Sequence, residues 1–110
     1  MIIRRYATAR GRSPIDEYLD GLSAAEAAKV AAVLESIKRD GLAAPLVSMR
    51  QIRGKLWELR VSQTRIFYVV VVGDTMVLLH AYKKQGQRAP AREIETASRR
   101  MADVLEGRTE

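Results

Sequence analysis

Apolar residues in the first forty positions have the spacing of one short strand followed by two helices. Residues 2–6 are β-branched and aromatic enough for a strand. Two helices are predicted next, from Ser13 to about Gly21 and from Ser23 to Asp40. Each serine is followed three residues later by a carboxylate, which is the pattern of a capped first turn. The second helix carries one apolar stripe at helical spacing, formed by Ala27, Val30, Leu34 and Ile37.

From residue 47 onward the spacing becomes that of extended strands. Four strands are predicted there, a weaker one at 47–52 and stronger ones at 55–61, 64–72 and 75–82. Pro90 then begins a last helix, which ends at Gly107. The order β-α-α-β-β-β-β-α predicts an α+β fold, with two N-terminal helices and a C-terminal helix on a mainly antiparallel sheet of four to five strands. The length predicts a single domain, residues 1–110.

Two turns in this region predict which residues stand opposite each other in the sheet. A two-residue turn at Ser62-Gln63 pairs Arg60 with Arg65, and one at Gly73-Asp74 pairs Arg65 with Tyr82. One face is then apolar, and we expect the helices to cover it: Trp57, Leu59, Val61, Ile66, Tyr68, Val70, Val77, Leu79 and Ala81. The other face, away from this core, carries Met76 and Leu78 near the second turn and a polar cluster at the far end: Glu58, Arg60, Arg65, Phe67, His80 and Tyr82.

The excess positive charge of the chain lies in one segment. The net charge is +6, and nine basic but only two acidic residues occur between Gly41 and Arg92. Such a segment fits either a binding site for a polyanion or a solvated basic face. The candidates for contacts with RNA are Lys55, Lys83, Lys84 and Arg88.

Composition excludes several other kinds of site. The chain has no cysteine and a single histidine, so neither a thiolate nor a histidine cluster can hold a metal ion, and we expect no metal and no cofactor. No stretch approaches roughly 18 uninterrupted apolar residues, which a membrane-spanning helix would need. We therefore expect a soluble, cytoplasmic protein without a membrane partner.

The polar cluster contains the groups that cleavage of RNA without a metal ion requires. When the 2′-hydroxyl attacks its own phosphate, one group must take its proton, another must protonate the leaving oxygen, and cations must stabilise the added negative charge. Arg65 and Arg60 suit the phosphate, because the planar guanidinium matches two phosphate oxygens. His80 or Tyr82 could move protons, and the ring of Phe67 or Tyr82 could carry an unstacked base.

Several motifs resemble the phage-derived HigB-like branch of the RelE/ParE toxin superfamily. The most specific are the L-W-E-L-R strand that ends at Arg60, the R-I-F-Y strand that begins at Arg65, and the L-H-x-Y-K-K segment that contains His80. A helix led by proline follows the last of these motifs. The resemblance covers nearly the whole chain, with the motifs in the same order.

The resemblance implies a toxin of a type II toxin–antitoxin system. Such toxins are endoribonucleases that cleave messenger RNA on the ribosome, and a cognate antitoxin, commonly a helix-turn-helix DNA-binding protein, neutralises them. The carried-over site residues are Arg60, Arg65, His80, Tyr82, Lys83 and Lys84. Many RelE-type ribonucleases have a second lysine in the strand before the conserved arginine, where this chain has Glu58, so the resemblance leaves the general base open.

Two other functions are compatible with parts of the pattern. A ParE-like protein would share the fold and inhibit DNA gyrase by binding it without catalysis, but the cluster of Arg60, Arg65, His80 and Tyr82 argues against this function. A regulator that binds the nucleic-acid backbone and cuts nothing would satisfy the charge pattern alone.

Overall fold

A five-stranded mixed sheet organises the chain. The computed structural model describes residues 1–107, so the last three residues of the predicted domain lie outside the described part. The elements are β1 (Ile2–Arg5), α1 (Pro14–Asp20), α2 (Ala24–Asp40), β2 (Ser48–Arg53), β3 (Leu56–Val61), β4 (Thr64–Val71), β5 (Thr75–Lys83) and α3 (Ala91–Leu105). The strand order is β1-β5-β4-β3-β2. Only the β1–β5 pair is parallel, which confirms the predicted order of elements and the mainly antiparallel sheet.

Local signals determine where the helices begin. The side chain of Ser13 accepts a hydrogen bond from the backbone N–H of Asp16, and that of Ser23 accepts one from the N–H of Glu26. These bonds satisfy amide groups that have no partner within the first turn of a helix. Both helices therefore begin where the sequence predicted.

Helices cover both faces of the sheet, which corrects the expectation that the basic face lies away from the core. The first core joins α1 and α2 to residues such as Leu59, Ile66 and Tyr68. The second core lies under α3 and contains Phe67 and Leu79, among others. An amphipathic helix such as α3 has to bury its apolar side, and the second sheet face offers the apolar surface for this.

The hairpin between β4 and β5 departs from the predicted register near its turn. Three residues, 72 to 74, form the turn, because Val71 rather than Val72 pairs with Thr75. Val70 consequently stands opposite Met76 instead of Val77. A bulge further along restores the expected pairs Phe67–His80 and Arg65–Tyr82.

The bulge also changes which side chains face each helix layer. Leu79 is the extra residue, since Tyr68 pairs with Leu78 and Phe67 with His80. The prediction was therefore wrong for four residues of β5: Met76 and Leu78 belong to the core under α1 and α2, and Val77 and Leu79 to the core under α3. The pairs Arg60–Arg65 and Trp57–Tyr68 of the β3–β4 hairpin are confirmed.

The turn before β5 contains a strained residue, from which a stability prediction follows. Val72 has a φ of 51° and its side chain is 90% exposed, so a β-branched residue adopts a left-handed conformation without gaining any packing. Asparagine tolerates this conformation better. We expect Val72→Asn to raise the free energy of unfolding in urea by about 1 kcal/mol.

Val72→Ala is the matched control, because it shortens the side chain but gives no special tolerance for a positive φ. It should gain less stability than Val72→Asn. If the asparagine variant were no more stable than the alanine variant, the turn would not carry this strain.

Candidate active site

A basic cleft opens on the sheet face that carries α3. Its volume is about 310 Å³, its floor comes from β2 to β5, and residues 84–89 form one wall. Five cationic side chains line it together with one carboxylate and one phenol: Arg50, Arg60, Arg65, Lys84, Arg88, Glu58 and Tyr82. The cleft therefore has the charge of a site for an anion.

Glu58 belongs to the lining of this cleft, and its side chain is fully buried. The hydroxyl of Tyr82 donates a hydrogen bond of 2.7 Å to its Oε2. Nη2 of Arg50 donates one of 3.2 Å to its Oε1. A buried carboxylate is tolerated when it is paired and hydrogen-bonded, so these partners account for its presence inside the sheet layer.

Arg60 and Arg65 stand opposite each other on adjacent strands, and both line the cleft. Nη1 of Arg65 donates to the backbone oxygens of Ser62 and Thr64 at 2.8 and 3.1 Å, which fixes the guanidinium group to the turn. Its Nε and Nη2 make no hydrogen bond to the described part of the chain. These donors remain available for an oxyanion.

Two further guanidinium donors in the cleft are buried without a partner. The Nε atoms of Arg50 and Arg60 are inaccessible to solvent and make no hydrogen bond within residues 1–107. A buried donor without a partner destabilises the fold by about 1–3 kcal/mol.

Tyr82 holds its proton firmly in this environment. Burial raises the pKa of its phenol far above the ordinary 10.0, and the hydrogen bond to Glu58 and the negative charge of that carboxylate raise the pKa further. The phenol donates its own proton to Glu58, so its oxygen can still accept a hydrogen bond from a ligand.

The ring of Phe67 is not available to a nucleobase. Phe67 is fully buried, and its ring stacks on that of Tyr82 with 5.4 Å between the centroids. The expectation that Phe67 could carry a base is therefore wrong, because α3 covers this part of the sheet face. The stacking instead fixes the orientation of Tyr82 at the edge of the cleft.

His80 lies beneath α3 and does not line the cleft. Its Nε2 contacts Oε1 of Glu93, and its Nδ1 lies 3.1 Å from Nη1 of Arg100. The pKa of His80 is lowered, chiefly by burial and also by the charge of Arg100, while the hydrogen bond to Glu93 opposes this shift. The structure thus brings Arg60, Arg65 and Tyr82 together and leaves His80 under the helix.

The four candidates for RNA contacts lie on two sides of the molecule. Lys84 and Arg88 line the cleft. Lys83 lines a groove with Tyr18 of α1, since it follows Tyr82 in β5 and alternates to the other face. Lys55 lies beside Trp57 and Tyr68, also on the α1–α2 side.

Arg50 is the site residue that the sequence analysis missed. It pairs with Glu58 across β2 and β3, so a firm assignment of β2 would have placed its charge beside that carboxylate. The strand was predicted only weakly, at residues 47–52.

Within residues 1–107, no group of three or more side chains that could hold a metal ion comes together. The helices of this part of the chain are too short or too polar to cross a membrane.

Comparisons with known proteins define the class of fold and then the family. A chain of the RelE–RelB complex from the archaeon Pyrococcus horikoshii OT3 superposes with a TM-score of 0.58 at 13% identity, over 79% of this chain and 97% of that one. The fold is therefore RelE-like. Residues 17–102 match the model of the family described as "Phage derived protein Gp49-like (DUF891)", and the chain belongs to this family. A search of the curated proteins finds no match. The family match and the fold confirm the resemblance that the sequence motifs indicated.

The raised pKa of Tyr82 predicts how stability depends on pH. Because the folded pKa lies above the unfolded value of 10.0, the contribution is complete below about pH 10 and is lost as the pH rises toward the folded pKa. We expect Tyr82→Phe to flatten the decline of the unfolding free energy above pH 10 by up to about 1.4 kcal/mol per pH unit.

Urea unfolding at a series of pH values measures this slope. Glu58→Gln serves as the comparison, because it keeps the phenol but removes the charge behind it, and it should narrow the pH range over which stability falls. An unchanged slope in Tyr82→Phe would mean that Tyr82 does not hold its proton as the geometry requires.

Proposed function

We propose that the protein is the toxin of a type II toxin–antitoxin system and acts as a metal-independent endoribonuclease on messenger RNA at the ribosome. The observation that carries this proposal is the cleft itself, where Arg60 and Arg65 stand beside the Tyr82–Glu58 pair. The Gp49-like family and the RelE-like fold support it.

The arginines would bind and polarise the scissile phosphate. Arg65 is fixed to the turn by two backbone oxygens, so its guanidinium is held in place before a ligand binds. Arg60 adds a second guanidinium from the adjacent strand. Donors that are held in place before the reaction stabilise the negative charge that develops in the transition state.

Tyr82 and Glu58 would manage the proton of the attacking group. As O2′ forms its bond to phosphorus, its proton passes to the phenol oxygen of Tyr82, and the phenol proton passes along the existing 2.7 Å hydrogen bond to Glu58. The bond from phosphorus to O5′ breaks, and the leaving oxygen takes a proton from Lys84 or from water. The products are a 2′,3′-cyclic phosphate and a free 5′-hydroxyl.

A cognate antitoxin is the second partner in this proposal. The structurally similar chain comes from a RelE–RelB complex, and a cell that makes a ribonuclease of this kind must hold it inactive. An acidic segment would complement the cationic cleft, and a small helix-turn-helix protein is the partner we expect. Growth arrest on expression of the chain alone, relieved by this partner, is the expected phenotype.

Arg65 provides the central test of catalysis. Its contact should strengthen in the transition state, so Arg65→Ala should still reach the ribosome but cut messenger RNA on the order of a hundred- to a thousand-fold more slowly. Arg65→Lys should recover only part of the rate, because lysine keeps the charge but not the paired donors. The measurement is the mapping of new 5′ ends after incubation with translating ribosomes.

Arg53→Ala is the matched control, since Arg53 bonds to Ser98 of α3 and its loss removes the same charge outside the cleft. Cleavage by Arg65→Ala at the parental rate would refute the site. Toxicity without any cutting by the parent would favour the gyrase inhibitor, and tight binding of RNA without toxicity or cutting would favour the regulator.

The positions of Lys83 and Lys84 give a separate prediction about binding. Lys84 lines the cleft and Lys83 faces the opposite side, although the two are adjacent in sequence. We expect Lys84→Ala to weaken RNA binding and to reduce the slope of log affinity against log salt by about one. Lys83→Ala removes the same charge and should leave the slope unchanged. Equal effects of the two variants would mean that RNA does not enter this cleft.

A further inference from the structure

The imidazole ring of His80 joins the sheet to α3 at two points, two turns apart. Its Nε2 contacts the carboxylate of Glu93 in the first turn, and its Nδ1 faces the guanidinium of Arg100 two turns later. Residues seven positions apart lie on the same side of a helix, so one ring can reach both. The ring also lies parallel to that of Phe67, with the centroids 6.3 Å apart.

The position of His80 is relevant to the cleft, because the segment just before α3 forms one wall of the cleft. Residues 84–89 supply Lys84 and Arg88 to the cleft wall, and Pro90 is the N-cap of the helix. The backbone N–H groups of Glu93 and Ile94 donate to the oxygen of Pro90. A shift of the first turn of α3 would therefore move this wall.

The hydrogen-bond pattern around His80 fits one protonation state. With its hydrogen on Nε2 the neutral ring donates to Glu93, and its Nδ1 accepts from Arg100, which also donates to the backbone oxygen of Leu79 at 3.0 Å. A proton added at Nδ1 would turn this acceptor into a donor that faces another donor. The contact with Arg100 would then become repulsive, while the contact with Glu93 would become an ion pair.

We propose that His80 is a positioning residue, which clamps the first turns of α3 over β5 and so fixes the cleft wall. The clamp rests on the contacts with Glu93 and Arg100, and its effect on RNA rests on the proposed function. His80 touches neither substrate nor cleft in this role, so the proton of the reaction stays with Tyr82 and Glu58.

The groups around the ring favour the neutral form, which the clamp needs. Burial and the charge of Arg100 lower the pKa of His80 below the ordinary 6.5, against the opposing contact with Glu93. Arg100 itself lies 5.3 Å over the ring of Tyr6. The charged and titratable groups that face this cluster come from α3, the sheet, the segment before α1 and α1 itself: Arg92, Glu93, Arg99, Arg100, Tyr82, Tyr6, Arg12 and Glu17.

The first test needs no RNA and does not depend on the proposed function. In amide proton–nitrogen correlation spectra of the parent, signals of residues 84–93 should move together as the pH falls below 6.5, with the same midpoint as the His80 ring. His80→Gln should abolish this shared transition. Loop signals that stay still, or that move identically in the variant, would overturn the proposal.

A second variant keeps the histidine and tests the role of Arg100. Arg100→Gln removes the opposing charge, so the midpoint of the His80 ring should rise. No rise would show that Arg100 does not govern protonation. Tyr82→Phe is the control, since it alters the neighbouring ring but neither partner of the imidazole.

Substitutions at high pH separate a clamp from simple electrostatics. The ring is neutral there, so its removal does not change the charge that attracts RNA. Loss of the clamp in His80→Ala should nevertheless weaken the binding of a short single-stranded RNA by roughly tenfold, which corresponds to about 1.4 kcal/mol. His80→Gln, whose amide can still donate to Glu93, should weaken it less. Parental affinity of His80→Ala would overturn the proposal.

Discussion

The negative charge of Glu58 is the interaction on which the arrangement of the cleft depends. Guanidinium groups on adjacent strands repel each other, and burial of their nitrogens adds to this repulsion. A carboxylate with no exposed surface, bonded to Arg50 on one side and to Tyr82 on the other, offsets that repulsion from the floor of the cleft. Through these two hydrogen bonds, Glu58 of β3 also connects β2, at the edge of the sheet, with β5, in its interior. The cleft is thus assembled across four strands around a single anionic centre.

Helix α3 covers only part of its sheet face, so this face has one part buried under the helix and one part that lines the cleft. Under the helix, the nearly parallel rings of Phe67, His80 and Tyr82 form a cluster that is largely buried and apolar except for the contacts of His80. Beside the helix, the charged ends of Arg60 and Arg65 remain partly open. Tyr82 stands at the boundary, with its ring in the core and its hydroxyl in the cleft. This position gives a phenol both the burial that retains its proton and the access that a ligand requires.

Much of this arrangement could be predicted from the sequence, and the failures have identifiable causes. The pair Arg60–Arg65 followed from a two-residue turn, because such a turn leaves one choice of register. The positions of Val77 and Leu79 did not follow, since Val72 adopts a conformation that β-branched residues disfavour and so lengthens the turn. An amphipathic pattern shows that α3 buries one side but not which sheet face receives it. Arg50 escaped notice because an edge strand has a weak hydrophobic pattern.

In the β4–β5 hairpin, the bulge compensates for the longer turn, and this affects how the protein tolerates insertions in the hairpin. The longer turn shifts the strand partners by one, and the extra residue Leu79 removes the shift before it reaches His80 and Tyr82. A shift in register at the tip of the hairpin therefore does not extend to the cleft. Insertions at the tip, such as a peptide epitope at Gly73, would change the register only in the outer half of the hairpin. The half that lines the cleft would keep its register, because the bulge lies between the two halves.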